Sequence, residues 1–143
     1  MDIREIEVTD AAGLVPLLDV LGWGSPRDQV EVRLQRIADH PDYTGWVAVE
    51  NGNIVGFATG QLNWMLQTHP PVAELVGLAV LPEAEGTGAG SRLLTAFEAW
   101  AVDAGAQRLK VTSGDHRPLA HGFYERRGYR RTGVRFHKIL DSA

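Results

Sequence analysis

One segment constrains the fold more than any other: an almost entirely apolar run that leads into a glycine-rich turn. The run spans residues 72–81, and its only charged residue is Glu74. Such a run is typical of a strand that is buried on both faces of a sheet. Pro82 ends it, and residues 83–90 contain three alternating glycines before a helical pattern begins. The segment therefore predicts an α/β fold in which a central strand leads directly into a helix.

The residues before this segment predict a strand, two helices and a hairpin. Period-two alternation favours a strand over residues 3–8, and Thr9-Asp10 can cap a helix that ends before Gly22. Ser25-Pro26 then begins a second helix. Two apolar runs joined by Asn51-Gly52 predict a hairpin, because this pair favours the tight turns that connect antiparallel strands. Residues 63–71 are predicted to form a loop.

The residues after the glycine turn continue the alternation of helices and strands. Helical spacing extends from about Ser91 to Gly105. A short strand over residues 109–112, a helix over 118–127 and one or two closing strands over 129–140 follow. Hairpins and crossovers together predict a mixed, partly antiparallel sheet flanked by about four helices, in a single domain of residues 1–143.

Composition excludes several classes of protein. The formal net charge of −4 argues against a nucleic-acid binder, and no run approaches the ~20 apolar residues of a membrane span. The chain has no cysteine and its N-terminus lacks the apolar core of a signal peptide, so a cytoplasmic location is predicted. No metal-binding motif is present, and no metal is predicted. Residues 1–70 carry 4 basic and 10 acidic side chains, which suits a cationic partner or an ordinary solvated surface.

The glycine turn is a candidate site for a phosphate or pyrophosphate. Gly86, Gly88 and Gly90 let backbone amides approach a ligand closely, and a helix start adds N–H groups and a positive dipole end. The spacing matches neither the Walker loop nor the dinucleotide fingerprint. A turn without a ligand is the alternative.

Two blocks of sequence resemble the GCN5-related N-acetyltransferases (GNAT). Residues 78–83 (LAVLPE) with 86–94 (GTGAGSRLL) are similar to the acetyl-CoA motif of that family. Residues 117–129 resemble its downstream A-x-x-x-Y-x-x-x-G segment, and residues 135–140 resemble its last strand. The order of elements matches over about residues 2–140, and the small bacterial members are most similar.

The resemblance implies a sheet that splays between its two central strands and holds acetyl-CoA there. It assigns the cofactor to strand backbone groups and to the turn with the first residues of the helix: Leu78, Ala79, Val80, Glu85, Gly86, Thr87, Gly88, Ala89, Gly90 and Ser91. Glu85 departs from the family motif, which has Gln or Arg at that position. Because a carboxylate repels a pyrophosphate, we expect weaker cofactor binding.

The resemblance also implies catalytic residues. Tyr124 stands where the family places its general acid, which protonates the departing thiolate; a core tyrosine is the alternative. Glu74 resembles the base glutamate of the histone-acetylating branch, and a carboxylate in an apolar strand needs a partner or a purpose. A strand-end salt bridge or solvent exposure would also explain it. Trp23 and Trp64 are predicted to wall the acceptor site.

The predicted function is acetyl transfer from acetyl-CoA to a primary amine of a small molecule or peptide. Without a cysteine nucleophile, direct attack in a ternary complex is the simplest route. One alternative is a non-catalytic acyl-CoA-binding sensor or scaffold module, and another is a glycine-loop nucleotide binder. The family's habit suggests a homodimer.

Overall fold

A five-stranded sheet organises the first part of the chain. The computed structural model describes residues 1–112 and 118–141, so that Arg117 of the second motif lies outside the described residues. It has two compact units, Met1–Val111 and Thr112–Ala143. The strands lie in chain order across the sheet: β1 Asp2–Glu5, β2 Tyr43–Glu50, β3 Asn53–Asn63, β4 Val72–Val80 and β5 Arg108–Val111. The pairs β1–β2, β2–β3 and β3–β4 are antiparallel and β4–β5 is parallel, which confirms the predicted mixed sheet.

Helices cover both faces of this sheet. The helices are α1 Ala11–Val20, α2 Arg27–Asp39 and α3 Ala89–Asp103 in the first unit and α4 Pro118–Arg126 in the second. Two 3₁₀ turns, Val8–Asp10 and Pro82–Ala84, precede α1 and α3. One core joins α1 and α2 to the inner strands, and its buried members are Ala11, Leu14, Leu17, Val30, Leu34, Val47, Phe57 and Ala79.

The other face of the sheet packs against α3 through two glycines of β3. A Cβ atom on Gly56 would lie 3.0 Å from Leu93 Cδ1, and one on Gly60 would lie 2.9 Å from Phe97 Cδ1. The missing side chains therefore let α3 lie close to the strand. Trp46 fills the rest of this interface, edge-on to the rings of Phe97 and Trp100 at centroid distances of 6.4 and 5.8 Å.

The hairpin between β2 and β3 has the predicted turn. Asn51 and Gly52 both have positive φ, 52° and 79°, as a type I′ turn requires. The predicted helix over residues 118–127 is confirmed as α4. The single domain over residues 1–143 stays a prediction.

The closing strands expected over residues 129–140 are wrong. These residues form neither helix nor strand, and they pair with no strand that the structure describes. Val134 and Phe136 are 83% and 93% exposed. Alternating apolar residues form a strand only where a neighbouring strand takes their backbone hydrogen bonds, and here no such neighbour is present among the described strands.

A buried carboxylate ties β1 to the start of α1. Asp10 is 6% exposed and accepts two hydrogen bonds from the Arg4 guanidinium, at 2.8 and 2.9 Å, and one from the Glu7 amide at 2.8 Å. The bonds from Arg4 lower the pKa of Asp10, against the opposing effect of burial. Asp10 is the N-cap of α1, as predicted, but its side chain does not cap the helix. It binds Arg4 on β1 instead.

Replacing Asp10 by Asn should lower the free energy of unfolding at pH 7 by about 2 kcal/mol, the scale of a hydrogen bond to a charged group. The pKa of Asp10 is lower in the folded than in the unfolded state. Its contribution is therefore complete above about pH 3.9 and is lost as the pH falls through the folded-state pKa. Urea denaturation at a series of pH values should show the difference from wild type shrinking below about pH 4.

The matched control is Glu31→Gln, because Glu31 forms an ion pair of similar length, 2.9 Å, with Arg27 on an exposed face of α2. An exposed pair of this kind contributes about 0.3–0.5 kcal/mol. If Asp10→Asn cost no more than this control, the ion pair with Arg4 would not be the link between β1 and α1.

Candidate active site

Only part of the central strand β4 has partners on both sides in the portion of the chain that the structure describes. It pairs with β3 from Val72 to Val80, but with β5 only from Val72 to Leu75. A bulge lies at the point where the second pairing stops: Gly60 is opposite Leu75 and Thr59 is opposite Gly77, so that Val76 has no partner. Val76 is 46% exposed. Within the residues that the structure describes, the last five residues of β4 therefore have no partner on the β5 side, and an extended ligand could pair with this edge. The splay between the two central strands stays a prediction.

The glycine turn follows this open edge directly. Gly86 and Gly88 have φ values of +79° and +89°, and a Cβ atom on either would meet nothing within 4 Å. Gly88 is the N-cap of α3, and no side chain caps the helix. The first N–H groups of a helix lack partners within it, and the helix dipole favours an anion at this end. The turn thus fits a phosphate group held by backbone amides.

The ten residues expected to bind the cofactor lie in one continuous strand, turn and helix start. Leu78, Ala79 and Val80 are on the open part of β4, and the rest follow from Glu85 through Ser91. Thr87 uses its hydroxyl to donate a hydrogen bond to the Ala84 carbonyl at 2.5 Å, which stabilises the turn. Glu85 is exposed at the edge of the turn. Their role in binding stays a prediction.

Glu74 lies at the other end of β4 and is held by an amide. The Asn63 side chain donates a hydrogen bond to Glu74 Oε1 at 2.9 Å. Gln61 on β3 and Lys110 on β5 are its cross-strand neighbours. In the part of the chain that the structure describes, Glu74 forms no ion pair. The hydrogen bond from Asn63 therefore fixes the orientation of the Glu74 carboxylate through Oε1. Its second oxygen, Oε2, remains available.

Two hydroxyl side chains accompany Glu74 on the same face of the sheet. Thr59 is 7% exposed, and its Oγ1 lies 3.1 Å from the position that a Cβ on Gly77 would take. Burial raises the pKa of the Tyr43 phenol, a hydrogen bond with Thr59 lowers it, and the negative charge of Glu74 raises it further. The sequence patterns did not identify Tyr43, Thr59 or Asn63. Only the register between strands places Tyr43 and Thr59 on the face that carries Glu74 and brings Asn63 into contact with it.

Tyr124 belongs to the second unit and lies half-buried on α4. Its ring packs edge-on against Phe123 and Tyr129, at centroid distances of 5.3 and 5.8 Å. Its carbonyl accepts hydrogen bonds from the amides of Arg127 and Tyr129, which close the end of the helix. The catalytic role of Tyr124 stays a prediction.

The two tryptophans predicted to contact the acceptor are both exposed. Trp23 lies in the connection between α1 and α2, and Trp64 lies in the connection between β3 and β4. Trp64 directly follows Asn63, the residue that holds Glu74. Their role as acceptor walls also stays a prediction.

The described residues contain neither a cluster of metal ligands nor a helix that could span a membrane. Within residues 1–112 and 118–141, no group of three or more His, Cys, Asp or Glu side chains could hold a metal ion. None of the helices described there is long and apolar enough to cross a membrane.

Comparison with known proteins places the chain in a family. A model of the acetyltransferase (GNAT) family matches residues 14–129. The N-acetyltransferase YhfO of Bacillus subtilis (strain 168) is 29% identical over 133 residues, which cover 90% of this chain and 89% of YhfO. A type 1 aminoglycoside N(6')-acetyltransferase of Stenotrophomonas maltophilia is 32% identical over 133 residues, covering 91% of this chain and 86% of the relative.

A solved structure has the same fold. The aminoglycoside N-acetyltransferase AAC(6')-Iy, determined in complex with CoA, is 22% identical and superposes with a TM-score of 0.85, covering 96% of this chain and 93% of that one. The family match extends over most of the sequence and agrees with the strand, turn and helix that form the site. The chain belongs to the GNAT family and is an acyltransferase.

Proposed function

We propose that the chain transfers the acetyl group of acetyl-CoA to a primary amine of a small molecule, by direct attack in a ternary complex. The observation that carries this proposal is the edge of β4 at residues 76–80, which has no partner on the β5 side among the described residues. A 3₁₀ turn and the glycine turn connect this edge to the uncapped start of α3. An extended ligand with an anionic end fits such an arrangement. The relatives named above support the reaction class.

The residues from the edge of β4 to the start of α3 fit acetyl-CoA, which supplies an activated acetyl thioester. Backbone groups of Leu78 and Val80 would pair with the pantetheine arm along the open edge. Amides of residues 86–91 would hold the pyrophosphate, because the turn leaves them open and the helix dipole favours negative charge. Backbone N–H groups near residues 78–80 would stabilise the negative charge that develops on the acetyl oxygen.

The acceptor amine arrives as an ammonium ion and must lose a proton before its nitrogen can attack. In the proposal Glu74 takes this proton through Oε2, directly or through water, because Asn63 already occupies Oε1. The nitrogen then forms a bond to the acetyl carbon and loses its second proton to solvent, and the bond from that carbon to sulfur breaks. Tyr124 gives its phenolic proton to the departing sulfur and regains one from solvent.

A small acceptor is favoured by the relatives whose names state a substrate. One of them acts on aminoglycosides, which are small molecules that carry several amines. The net negative charge of residues 1–70 would attract a cationic acceptor of this kind. We place the acceptor on the sheet face that carries Glu74, with Trp23 and Trp64 as its outer walls.

Calorimetric titration with acetyl-CoA, CoA and ATP provides the first test. We expect acetyl-CoA to bind with a clear preference over ATP, and Tyr124→Phe to bind it with unchanged affinity. Turnover of Tyr124→Phe should fall about 10²- to 10⁴-fold, the usual contribution of a general acid, as measured by release of free CoA thiol. Because the protein has no cysteine, the thiol assay has no background from it.

Other results of this experiment would contradict the proposal. Binding of acetyl-CoA without turnover on any amine of a broad panel would favour the sensor or scaffold. A preference for ATP would favour a nucleotide binder.

Glu74→Gln should lower kcat/KM for the amine about 100-fold or more, since the amide cannot accept a proton as a base does. The fold should be preserved, because the Gln carbonyl can still accept the hydrogen bond from Asn63. The affinity for acetyl-CoA should not change. Glu50→Gln on β2 is the matched control and should retain wild-type turnover, and equal rates for the two variants would remove Glu74 from the mechanism.

Glu85→Arg should bind acetyl-CoA more tightly than wild type, by up to about tenfold. The change replaces an exposed anion beside the turn with a cation that can pair with a phosphate. The gain should shrink as salt is added, because exposed charges are screened. Glu83→Arg makes the same change in net charge on the preceding 3₁₀ turn; an equal gain there would mean that Glu85 does not contact the pyrophosphate.

A further inference from the structure

Glu74 has a polar neighbour on each side of β4. The strand lies between β3 and β5, and Glu74 is opposite Gln61 on β3 and Lys110 on β5. Residues directly opposite each other on neighbouring strands point to the same face of a sheet, so Glu74 and Lys110 share one face. Asn63 is two residues after Gln61 on β3 and therefore also points to this face. Glu74 thus lies between a neutral donor on one side and a cation on the other.

The carboxylate is bound on the β3 side. The side-chain amide of Asn63 donates a hydrogen bond to Glu74 Oε1 at 2.9 Å, in a half-buried position. Among the described residues, the ion pairs formed by Asp and Glu side chains involve Asp10 and Glu31, and none joins Glu74 to Lys110. The structure therefore has the carboxylate turned towards the amide and not towards the lysine.

Lys110 would reach Glu74 if the carboxylate turned towards β5. Neighbouring strands are about 4.8 Å apart, and a lysine side chain is a flexible stem of four carbons that ends in three N–H donors. Lys110 is exposed, so water and salt weaken its attraction for a carboxylate, whereas a half-buried hydrogen bond to a charged group is stronger. The hydrogen bond is therefore favoured while Asn63 is present, and the ion pair is the alternative when the amide is removed.

Asn63 is itself held in place by the sheet. It is the last residue of β3 and pairs with Val72, the first residue of β4. On the other side of β3, the Leu62 amide donates a hydrogen bond to the Asp42 carbonyl at 2.8 Å, directly before β2. The backbone around Asn63 is thus fixed from both sides, and a short side chain on a fixed backbone presents its amide at one place.

We propose that Asn63 is a positioning residue that holds the Glu74 carboxylate on the β3 side of β4 and so prevents an ion pair with Lys110. This inference rests on the proposed function, in which Glu74 takes a proton from the acceptor ammonium. An ion pair with Lys110 would put a second cation where the acceptor cation must bind. Asn63 is neutral, so it engages one oxygen and leaves the negative charge of the carboxylate to the acceptor.

Substitutions of Asn63 and Lys110, singly and together, test this competition. With any amine that the wild type acetylates, Asn63→Ala should lower kcat/KM for the amine at least about tenfold, the equivalent of one hydrogen bond to a charged group, and leave KM for acetyl-CoA unchanged. Lys110→Met alone should retain the wild-type rate, because it removes no contact with Glu74. Lys110→Met added to Asn63→Ala should recover about two- to fivefold, the range of an exposed ion pair.

The rescue by Lys110→Met is the result that a merely structural role of Asn63 would not produce. Lys138→Met, the same change at the other lysine of the chain, should not rescue Asn63→Ala. Asn53→Ala removes an exposed amide from the first residue of β3 and should turn over as wild type does. Wild-type kcat/KM in Asn63→Ala would overturn the inference. An equal effect of Lys110→Met with and without Asn63 would also overturn it, because competition requires the two substitutions to be coupled.

Crystal structures of the wild type and of Asn63→Ala provide a readout that needs no turnover. In the variant, a carboxylate oxygen of Glu74 should lie within about 4 Å of Lys110 Nζ, the distance of an ion pair, and in the wild type it should not. Asn63→Leu, which keeps the volume of the side chain, should give the same result. A Glu74–Lys110 ion pair in the wild type, or a carboxylate that stays in place in both variants, would contradict the inference.

This inference and the proposed function fail in different ways. If Glu74→Gln acetylates amines at the wild-type rate, the role of Glu74 in the proposed function is refuted, while the crystal structures still decide whether Asn63 keeps the carboxylate from Lys110. If Glu74→Gln is impaired and Asn63→Ala is not, the positioning role of Asn63 alone is refuted.

Discussion

The incomplete pairing of β4 with β5 is the constraint on which the site depends. A strand in the middle of a sheet normally has partners on both sides, since buried backbone N–H and C=O groups need hydrogen bonds. Among the described residues the pairing stops at Leu75, and the bulge at Val76 changes the register with β3 at the same point. The resulting open edge is built from backbone groups, so its ability to hold an extended ligand depends little on which side chains lie there.

The position of α3 follows from its packing on the sheet face opposite α1 and α2. Gly56 and Gly60 allow Leu93 and Phe97 to approach β3 within contact distance. Because these contacts fix the helix axis, they also fix where its first turn lies relative to the end of β4. The uncapped helix start is therefore held by the apolar core, and the residues around it, from Gly86 to Gly88, can remain open to a ligand.

Sequence patterns predicted the elements well and the side-chain contacts poorly. Periodicity located the helices and strands, and Asn51-Gly52 located the hairpin, because both signals come from residues close together in the chain. The strands expected over residues 129–140 are absent since a strand depends on a distant partner. The contact of Asn63 with Glu74 depends on the register between β3 and β4, which the bulge shifts by one residue. A shift of that kind leaves no signal in hydrophobic periodicity.

The two ends of β4 present opposite electrostatic environments to a ligand. Glu74 lies six residues before Val80, and a strand rises about 3.3 Å per residue, so the two ends are about 20 Å apart. This separation exceeds the Debye length of about 8 Å at physiological ionic strength, and the carboxylate at one end therefore does little to oppose an anion at the other. Glu85 lies at the anionic end itself, but it is exposed, and water and salt weaken its repulsion. The backbone amides around it are fixed by the turn and the helix, so they can hold a phosphate even with a carboxylate nearby.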